Sequence, residues 1–403
     1  MRALALVLAL LFSAALAAGL AGCGGREDYF VGFSLSETVY VGGQPLSAGE
    51  RRALEGEIAS LLHAVEDEVS LNREDSCLSR LNAAAAGEAV AAGSHTRALF
   101  SLSAALHAET GGAFSPALWP LSELWGFSPR FAGRYSDPRP APSAADVQAA
   151  LALADLSLFT AEGETLSKAE SGAGLDFGGI AKGYMCDVAA AYIREKYAGE
   201  ELGCVLEVMS GSVILGSKPA SALGYTASVD NPRAAVTAGR GAGQALFAAG
   251  LSDVAVSTSA DNYRFYVYGG KIYPHILDPF RGAPADNGVI SVTVFVPLAQ
   301  PYAAASADAY STAGFCMPLR EALAFYEGLY REKGVSALVI TADFCYYTVG
   351  DAQIYGRTAF DGLVGQEGYF SEEVFAFAET ACAPAEVEPC ARELEYIAAC
   401  AQA

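Results

Sequence analysis

The chain has 403 residues, of which 52% are hydrophobic and 18% are charged, so it can build one large or two ordinary domains around a sizeable core. Its formal net charge is −21, from 46 acidic and 25 basic residues. A surface this acidic repels phosphate backbones, which argues against nucleic acid as a partner. An anionic ligand would need a few local donors or a metal ion to hold it.

Residues 1–25 have the pattern of a targeting segment, with one positive charge at Arg2, a long apolar run and then small residues. The run is almost long enough to span a bilayer, so a retained transmembrane anchor is the alternative. The tetrapeptide LAGC, which ends at Cys23, resembles a bacterial lipobox, in which the cysteine becomes the lipidated first residue. We therefore predict a signal peptide over 1–22, a lipidated tether over 23–32, and a lipid anchor to the extracytoplasmic face of the bacterial cell membrane.

The next part of the chain alternates helical and strand-like segments. A strand is predicted over residues 34–42 and a helix over about 49–69. A second helix ends at the Gly111-Gly112 pair, and residues 128–146 are predicted to form an exposed, Pro-rich loop.

Strands and helices are mixed in the second half of the chain, where helical periodicity is clearest over residues 179–197 and 306–330. The strand-like runs are GCVLEV, AVSTSA, YRFYVYGGKIYPHIL and VISVTVFVP. Because their order lacks a regular β-α-β alternation, we predict an α+β fold with mixed sheets packed against helices. The Ala-, Glu- and Cys-rich end of the chain is predicted to be a peripheral helix.

The cysteines after Cys23 contain no CxxC pair, so their spacing does not support a zinc or iron–sulfur site. An exported protein can pair cysteines as disulfides, but most of these lie in apolar runs typical of buried thiols. Both alternatives stay open for the eight residues Cys77, Cys186, Cys204, Cys316, Cys345, Cys382, Cys390 and Cys400.

The stretch LDFGGIAKGYMCD, residues 175–187, puts an acid, a glycine pair and a lysine at the start of an apolar-periodic helix. Glycines before a helix let backbone N–H groups approach a ligand, and a helix N-terminus favours phosphate. Asp176 and Lys182 are therefore candidate ligand contacts. The stretch is neither a Walker A loop nor GxGxxG, and an ordinary strand–turn–helix junction is the alternative.

The stretch SADAYSTAG, residues 306–314, carries a carboxylate and hydroxyls at helical spacing. If it is helical, Asp308 and Thr312 share a face, with Ser311 beside them. Such oxygen ligands suit a hard ion such as Mg²⁺. The alternative is that Ser306 or Asp308 only caps the helix N-terminus.

The stretch STSADNYRFYVYGGKIYPHILDPFRG, residues 257–282, contains His275, one of four histidines in the chain. A polar Thr-Ser turn and a Tyr-Arg strand lead through Gly-Gly to this histidine. A lone histidine is more often structural than catalytic. Its place at a strand end just before the Asp278-Pro279 turn nevertheless makes it a candidate catalytic group.

Together and in this order, these stretches resemble the ApbE family of FAD:protein FMN transferases over about residues 33–365. The family pattern runs roughly S-x-S-x-x-N, G-x-F-D-P, D-x-G-G-x-A-K-G-Y, T-S-G-x-Y-R, H-x-x-D-P-x-x-G and A-D-A-x-x-T. The matching positions are Ser76, Ser79 and Asn82, then GAFSP, DFGGIAKGY, STSADNYR, HILDPFRG and ADAYST. The resemblance implies the T-fold-like architecture of the family, with residues 366–403 as a peripheral C-terminal tail.

The resemblance also implies a mechanism. Members of the family bind FAD, cleave its pyrophosphate with Mg²⁺, and join the FMN half to a Thr or Ser hydroxyl of a target protein. His275 falls on the family histidine linked to transfer, and we expect the rate to fall at low pH with a midpoint around pH 6–7. The implied FAD contacts are Ala113, Phe114, Ser115, Asp176, Lys182 and Leu277. The implied Mg²⁺ ligands are the carbonyl of Gly179 with Asp308, Ser311 and Thr312.

The implied partners are flavin-accepting membrane or envelope proteins, including subunits of redox-driven ion pumps. One alternative is a Mg²⁺-dependent FAD pyrophosphatase, in which water replaces the acceptor hydroxyl. Another is a non-enzymatic flavin-binding lipoprotein. A solute-binding lipoprotein would have two similar α/β lobes, which the irregular strand order disfavours.

Three departures from the family pattern bear on FAD binding. Ser115 stands where the family has an aspartate, and Ser212 replaces the acid of a Gly-Gly-Asp turn. The TSADNYR loop carries Ala260 and one additional residue, so we expect it to differ in shape.

Overall fold

The computed structural model describes residues 32–219, 224–233, 245–351 and 376–402, with only the backbone at 226–228 and 245–250. The predicted signal peptide, Cys23 and the predicted domain boundary at 365 lie outside the described residues. Within them, no helix is both long and apolar enough to cross a membrane.

Nine α-helices occur in the described residues, and local signals set their ends. The first begins with a capping box, in which Ser47 and Glu50 each accept a hydrogen bond from the other's backbone N–H. Gly126 and Gly334, both with positive φ, end two others. The helices are α1 (Ala48–Val69), α2 (Cys77–Ala83), α3 (Ser94–Glu109), α4 (Trp119–Trp125), α5 (Ala144–Leu153), α6 (Ala181–Lys196), α7 (Ala303–Cys316), α8 (Leu319–Lys333) and α9 (Ala391–Cys400).

The helical periodicity predicted over 306–330 is confirmed, and it belongs to two helices, α7 and α8, with a break at residues 317–318. Helix α7 ends before Met317, which is extended, as is Pro318, the residue before α8. The proline ring excludes the helical conformation at the preceding residue, which is the physical reason for the break.

The described residues also contain short strands and 3₁₀ turns. The 3₁₀ turns are Pro129–Phe131, Leu156–Leu158 and Thr380–Cys382. The strands are β1 (Phe33–Leu35), β2 (Tyr40–Val41), β3 (Gln44–Pro45), β4 (Val90–Ala91), β5 (Phe159–Glu162), β6 (Thr165–Lys168), β7 (Leu202–Val208), β8 (Gly211–Gly216), β9 (Tyr225–Asp230), β10 (Ala245–Leu251), β11 (Val254–Ala260), β12 (Phe265–Tyr268), β13 (Lys271–Pro274), β14 (Leu277–Asp278), β15 (Ala283–Pro284), β16 (Val289–Pro297), β17 (Ser336–Thr341), β18 (Cys345–Val349) and β19 (Ala376–Phe377).

A ten-stranded sheet forms the centre of the fold, with the order β19-β18-β17-β16-β11-β8-β7-β2-β3 and β1 also paired with β7. Its neighbours are antiparallel except for β18 and β19, which are parallel. Helices and a mixed sheet therefore combine as predicted, and the α+β class is confirmed. The described part of the predicted tail, residues 376–402, contributes the edge strand β19 and helix α9.

Helices and a β-ribbon cover the central sheet. Helices α6, α7 and α8 pack against its strands. Tyr225 and Leu251, from the β9–β10 ribbon, pack on Val256 and Phe295 of β11 and β16. Because both of its faces are covered, β17 is buried at every position.

A smaller hairpin, β12–β13, stands beside the central sheet and carries the predicted catalytic stretch. Its Tyr266 packs with Trp125 and Phe127 from the end of α4. The Tyr266 and Tyr273 rings stack with centroids 4.9 Å apart across the hairpin. These aromatic contacts fix the hairpin ends, where residues 264 and 275 lie.

The cysteines in the described residues are all free thiols. Four of them, Cys77, Cys186, Cys204 and Cys316, are buried.

Candidate active site

Asp176 lies in a turn held by two other parts of the chain. The side-chain amide of Asn82 donates to the carbonyl of Leu175 and accepts from its N–H, both at 2.8 Å. The N–H of Asp176 donates to the carbonyl of Pro116 at 2.7 Å. The Asp176 carboxylate accepts from the N–H of Gly178 at 2.8 Å, and burial raises its pKa. These bonds bring three of the sequence stretches together.

Phe114, Gly179 and Thr312 lie close together, and they bring the ADAYST stretch to the two glycine-containing stretches. Thr110 and His107 hold Phe114, since its N–H donates to the Thr110 hydroxyl at 3.1 Å and its carbonyl pairs with His107 Nδ1 at 2.8 Å. A Cβ added at Gly179 would lie 3.4 Å from the Phe114 ring and 3.2 Å from the hydroxyl oxygen of Thr312. Glycine at this position therefore allows the backbone to approach both side chains closely.

Ala113 and Ser115, on either side of Phe114, are buried. The Ser115 hydroxyl accepts a hydrogen bond from the N–H of Ala117 at 3.2 Å. Ser115 thus stabilises its own turn and adds no charge to the place where the family pattern has an aspartate.

Helix α7 begins upstream of both residues that were candidate caps. Its N-terminal N–H groups, those of Ala304 and Ala305, donate to the two carboxylate oxygens of Asp187 at 3.0 and 2.9 Å. The alternative that Ser306 or Asp308 caps this helix is therefore wrong. Asp187 supplies the cap from the neighbouring helix α6.

Asp308 is the buried acid at the centre of the site, and its side chain is only 2% exposed. One carboxylate oxygen accepts from the hydroxyl of Ser257 and the other from the N–H of Gly183, both at 3.2 Å. The ammonium of Lys182 lies 3.3 Å from the second oxygen. The predicted FAD contact Lys182 and the predicted metal ligand Asp308 are thus an ion pair.

The hydroxyls of Ser311 and Thr312 donate to the carbonyl of Asp308 at 2.9 and 3.0 Å. Both also bond to the hydroxyl of Ser259, at 2.9 and 3.3 Å. Ser311 is fully buried, whereas Thr312 faces Gly179. The four predicted metal-site residues therefore lie in one connected cluster.

The chemistry of this cluster fits a hard cation. The Asp308 carboxylate, the Thr312 hydroxyl and the backbone at Gly179 offer oxygen only, which Mg²⁺ prefers. The position already stabilises a positive charge, that of Lys182. No group of three or more His, Cys, Asp or Glu side chains is placed to hold a metal ion in the described part of the chain. Mg²⁺ bound here would take its remaining oxygens from water or phosphate, as is usual for this ion.

His275 is held by one backbone carbonyl, that of Arg264. The backbone N–H of His275 donates to this oxygen at 2.9 Å, and its Nδ1 lies 3.1 Å from the same atom. A carbonyl only accepts, so Nδ1 carries the proton and Nε2 keeps a lone pair. The Phe127 ring stands edge-on to the imidazole, with centroids 6.4 Å apart.

The environment of His275 keeps its imidazole neutral. Burial, together with the positive charges of Arg264 and Lys182, lowers its pKa to about 4. The expected midpoint of pH 6–7 is therefore too high, because it assumed a histidine with an unperturbed pKa. A neutral imidazole with a free Nε2 has the protonation state of a general base.

Leu277 is held by the packing of its side chain and by a hydrogen bond to its carbonyl. Its side chain lies in the core cluster with Leu121 and Trp125. Its carbonyl accepts from the thiol of Cys316 at 3.5 Å, which links the segment to α7. The following Asp278 accepts from the N–H of Phe280 at 2.8 Å and forms the predicted turn.

Four residues that contact the site were not predicted. Ser257 and Ser259 lie two apart in β11, so they face the same side and both reach α7. The strand-like run AVSTSA is confirmed as β11, whereas the Thr-Ser turn predicted for the same residues is wrong. Strand alternation was the signal that could have found these two serines. Asp187 and His107 contact the site only through the tertiary fold, and no sequence signal marks them.

The family model of the ApbE family matches residues 32–339. The chain belongs to the ApbE family. A Vibrio cholerae relative named FAD:protein FMN transferase is 31% identical over 245 residues, covering 61% of this chain and 69% of the relative. A Treponema pallidum relative with the same name is 30% identical over 349 residues, covering 81% of this chain and 88% of the relative.

Solved structures of ApbE proteins share the fold. An ApbE protein from Thermotoga maritima has a TM-score of 0.68 at 26% identity, covering 82% of this chain and 98% of that one. The apo flavinyl transferase ApbE from Pseudomonas stutzeri has a TM-score of 0.62 at 27% identity, covering 84% and 99%.

Proposed function

We propose that this ApbE-family protein transfers the FMN moiety of FAD, through a phosphoester bond, to a Thr or Ser hydroxyl of target proteins, with release of AMP. The relatives from Vibrio cholerae and Treponema pallidum are named for this reaction. The observation that carries the proposal is the ion pair of Lys182 with Asp308, at 3.3 Å. It joins the glycine-rich stretch suited to phosphate to the acidic stretch suited to a cation.

Binding of the FAD pyrophosphate is the first task of the site. The N-terminal turn of α6, next to Gly178 and Gly179, carries the positive end of the helix dipole, while the N–H of Gly183 in this turn is bonded to Asp308. Lys182 and Arg264 supply positive charge in a chain of net charge −21. Both positive charges lie near enough to the His275 imidazole to lower its pKa.

Proton transfer is the task of His275. In the proposed step, the acceptor hydroxyl oxygen forms a bond to the phosphorus of the FMN half, and the bond from that phosphorus to the AMP oxygen breaks. The hydroxyl proton passes to Nε2 of His275, which is free because Nδ1 donates to the Arg264 carbonyl. AMP leaves with the electron pair of the broken bond.

Magnesium is part of the proposal. Asp308, Thr312 and the backbone at Gly179 would hold Mg²⁺, with Ser311 and Ser259 orienting the Thr312 hydroxyl. When bound, the ion neutralises charge on the phosphate oxygens of the transition state. FAD contacts by Ala113, Phe114, Ser115 and the backbone of Leu277 are proposed on the same basis.

We also propose that the protein acts as a lipid-anchored enzyme at the extracytoplasmic face of the cell membrane. The LAGC box at Cys23 supports this location. Flavin-accepting envelope proteins, including subunits of redox-driven ion pumps, are the proposed targets. Mass spectrometry of the mature N-terminus tests the anchor: a diacylated Cys23 supports it, and an intact Met1 contradicts it.

The proposed activity is tested by incubating the soluble protein, begun after Cys23, with FAD, Mg²⁺ and cell-envelope proteins. In-gel flavin fluorescence on an envelope protein is the expected result, and its loss is expected with His275→Asn. His63→Asn is the matched control, since this other histidine lies on α1. FMN released without labelled protein would instead indicate a pyrophosphatase.

A further inference from the structure

A buried arginine connects the C-terminal helix to the loop before the catalytic hairpin. Arg233 is 0% exposed. Its Nη1 and Nη2 each lie 2.7 Å from an oxygen of Asp261. Its Nε and Nη2 lie 2.5 and 2.7 Å from the two oxygens of Glu393, on α9. The ring of Tyr396, on the same helix, lies 4.3 Å from the guanidinium carbon.

The acid on the loop side, Asp261, opens the turn that ends at Arg264. The N–H of Asp261 donates to the carbonyl of Ile290 at 3.2 Å, so the backbone of this residue is held by the sheet while its carboxylate is held by Arg233. Further along the turn, the hydroxyl of Tyr263 donates to Asp230 at 2.9 Å. The turn after β11 is thus tied by side chains to Asp230 and Arg233.

The same turn delivers the atom that orients His275. The Arg264 carbonyl, three residues beyond Asp261, accepts from both the backbone N–H and Nδ1 of His275. The side chain of Arg264 is exposed and packs over the Tyr135 ring, at 5.1 Å. Among the described contacts, those that hold the Arg264 carbonyl in place therefore lie mainly at the two ends of the turn, residues 261 and 264.

Charge makes the connection specific. One buried guanidinium faces two carboxylates, and burial raises the pKa of Glu393 against the opposing effect of Arg233. Removing one partner from such a buried group leaves a charge without full compensation, so the remaining side chains must move. Glu393 lies outside residues 32–339, the part of the chain that matches the ApbE family model.

We propose that Glu393 and Arg233 are positioning residues for His275: through Asp261 they fix the turn whose Arg264 carbonyl holds the Nδ1–H tautomer of the imidazole. The C-terminal helix α9 therefore determines which tautomer His275 adopts, without itself contacting the substrate. This inference rests on the proposed role of His275 in transfer, but the state of the imidazole can be measured without any turnover.

The test is a Glu393→Gln variant of the complete soluble protein, labelled with ¹⁵N in its four histidines. In the wild type, the His275 ring should show a protonated Nδ1 and an unprotonated Nε2, an assignment made by the loss of its signals in His275→Asn. In Glu393→Gln, we expect a mixture of the two tautomers. The FMN transfer rate should fall about 10- to 100-fold, because the base is misplaced, while the FAD dissociation constant changes less than about 2-fold.

Glu395→Gln is the matched control, because Glu395 is an exposed acid on the same helix. It should keep the wild-type spectrum and rate. If Glu393→Gln does not fold, Glu393→Asp keeps the charge but shortens its reach, and it should show the same tautomer change to a smaller degree.

A folded Glu393 variant with the wild-type His275 spectrum overturns the proposal, whatever its rate. A changed spectrum without any FMN transfer by the wild type would leave the positioning role standing and contradict the proposed function. The two failures are therefore distinguishable.

Discussion

The ammonium of Lys182 lies 3.3 Å from the carboxylate of Asp308, and it also donates to the carbonyl of Gly178. A divalent cation that binds Asp308 must therefore displace this ammonium or share the carboxylate with it. The phosphates of FAD attract both cations. Lysine and magnesium should thus compete in the absence of FAD and cooperate in its presence.

Lys182→Gln should separate these two effects. Without FAD, Mg²⁺ should bind about 3- to 10-fold more tightly, because the competing charge is gone. FAD should bind about 10-fold more weakly, because a charge-assisted contact to phosphate is lost. Calorimetric titrations of each ligand measure both changes. Lys196→Gln, a surface lysine at the end of the same helix, is the control, and equal effects in the two variants would contradict the prediction.

Asp308→Asn should remove the Mg²⁺ dependence of FAD binding and lower the transfer rate about 10²–10³-fold, because the only buried carboxylate of the cluster is lost. FAD is titrated with and without Mg²⁺ to measure this. Asp155→Asn, at the start of a 3₁₀ turn, serves as control. A variant at 308 with the wild-type Mg²⁺ dependence would show that Asp308 is structural.

Asp187→Ala should destabilise the fold by about 1–2 kcal/mol, since it removes the acceptor for the N–H groups of Ala304 and Ala305. Asp187→Asn keeps one acceptor oxygen and should lose less. Urea denaturation followed by circular dichroism gives both values. No loss in Asp187→Ala would mean that α7 does not need this cap.

The same residue gives a pH dependence of stability with a defined sign. Burial raises the pKa of Asp187 from 3.8 to about 6. The folded state then binds the Asp187 proton more tightly than the unfolded state does. Protonation of Asp187 therefore stabilises the fold below pH 4, and this stabilisation is lost as pH rises through 6. The difference in unfolding free energy between wild type and Asp187→Asn should decrease over that interval. A constant difference would contradict the raised pKa.

The pH dependence of kcat/KM tests the neutral state of His275. With a pKa of about 4, the imidazole stays unprotonated through the neutral range, so kcat/KM should fall only as pH approaches 4. An inhibitory midpoint at pH 6–7 that disappears in His275→Gln would show an ordinary histidine, contrary to the structure.

Local sequence signals predicted those parts of the fold and site that local physics determines. The sequence pattern located α1 to within about one residue at its start, and the glycine pair and Lys182 located the start of α6. The spacing of Asp308 and Thr312 predicted their shared face correctly because helical geometry fixes it. The α+β class followed from the irregular order of the elements.

The parts that sequence reasoning missed depend on contacts between distant elements. Ser257 reaches Asp308 only because β11 lies under α7, and Asp187 caps α7 only because α6 packs against it. The low pKa of His275 requires its burial near two cations, which no spacing reveals. Glu393 lies in a tail predicted to be peripheral, yet it contacts the buried Arg233.

The central claim, transfer of FMN to a protein hydroxyl, is tested most directly by a product balance. The soluble protein is incubated with FAD, Mg²⁺ and an acceptor-containing envelope fraction, and AMP, free FMN and protein-bound flavin are quantified in the same sample. We predict that protein-bound flavin equals AMP, that free FMN stays near background, and that AMP and protein-bound flavin fall together in His275→Asn. AMP matched by free FMN, with no flavin on protein, would contradict transfer and show that water is the acceptor.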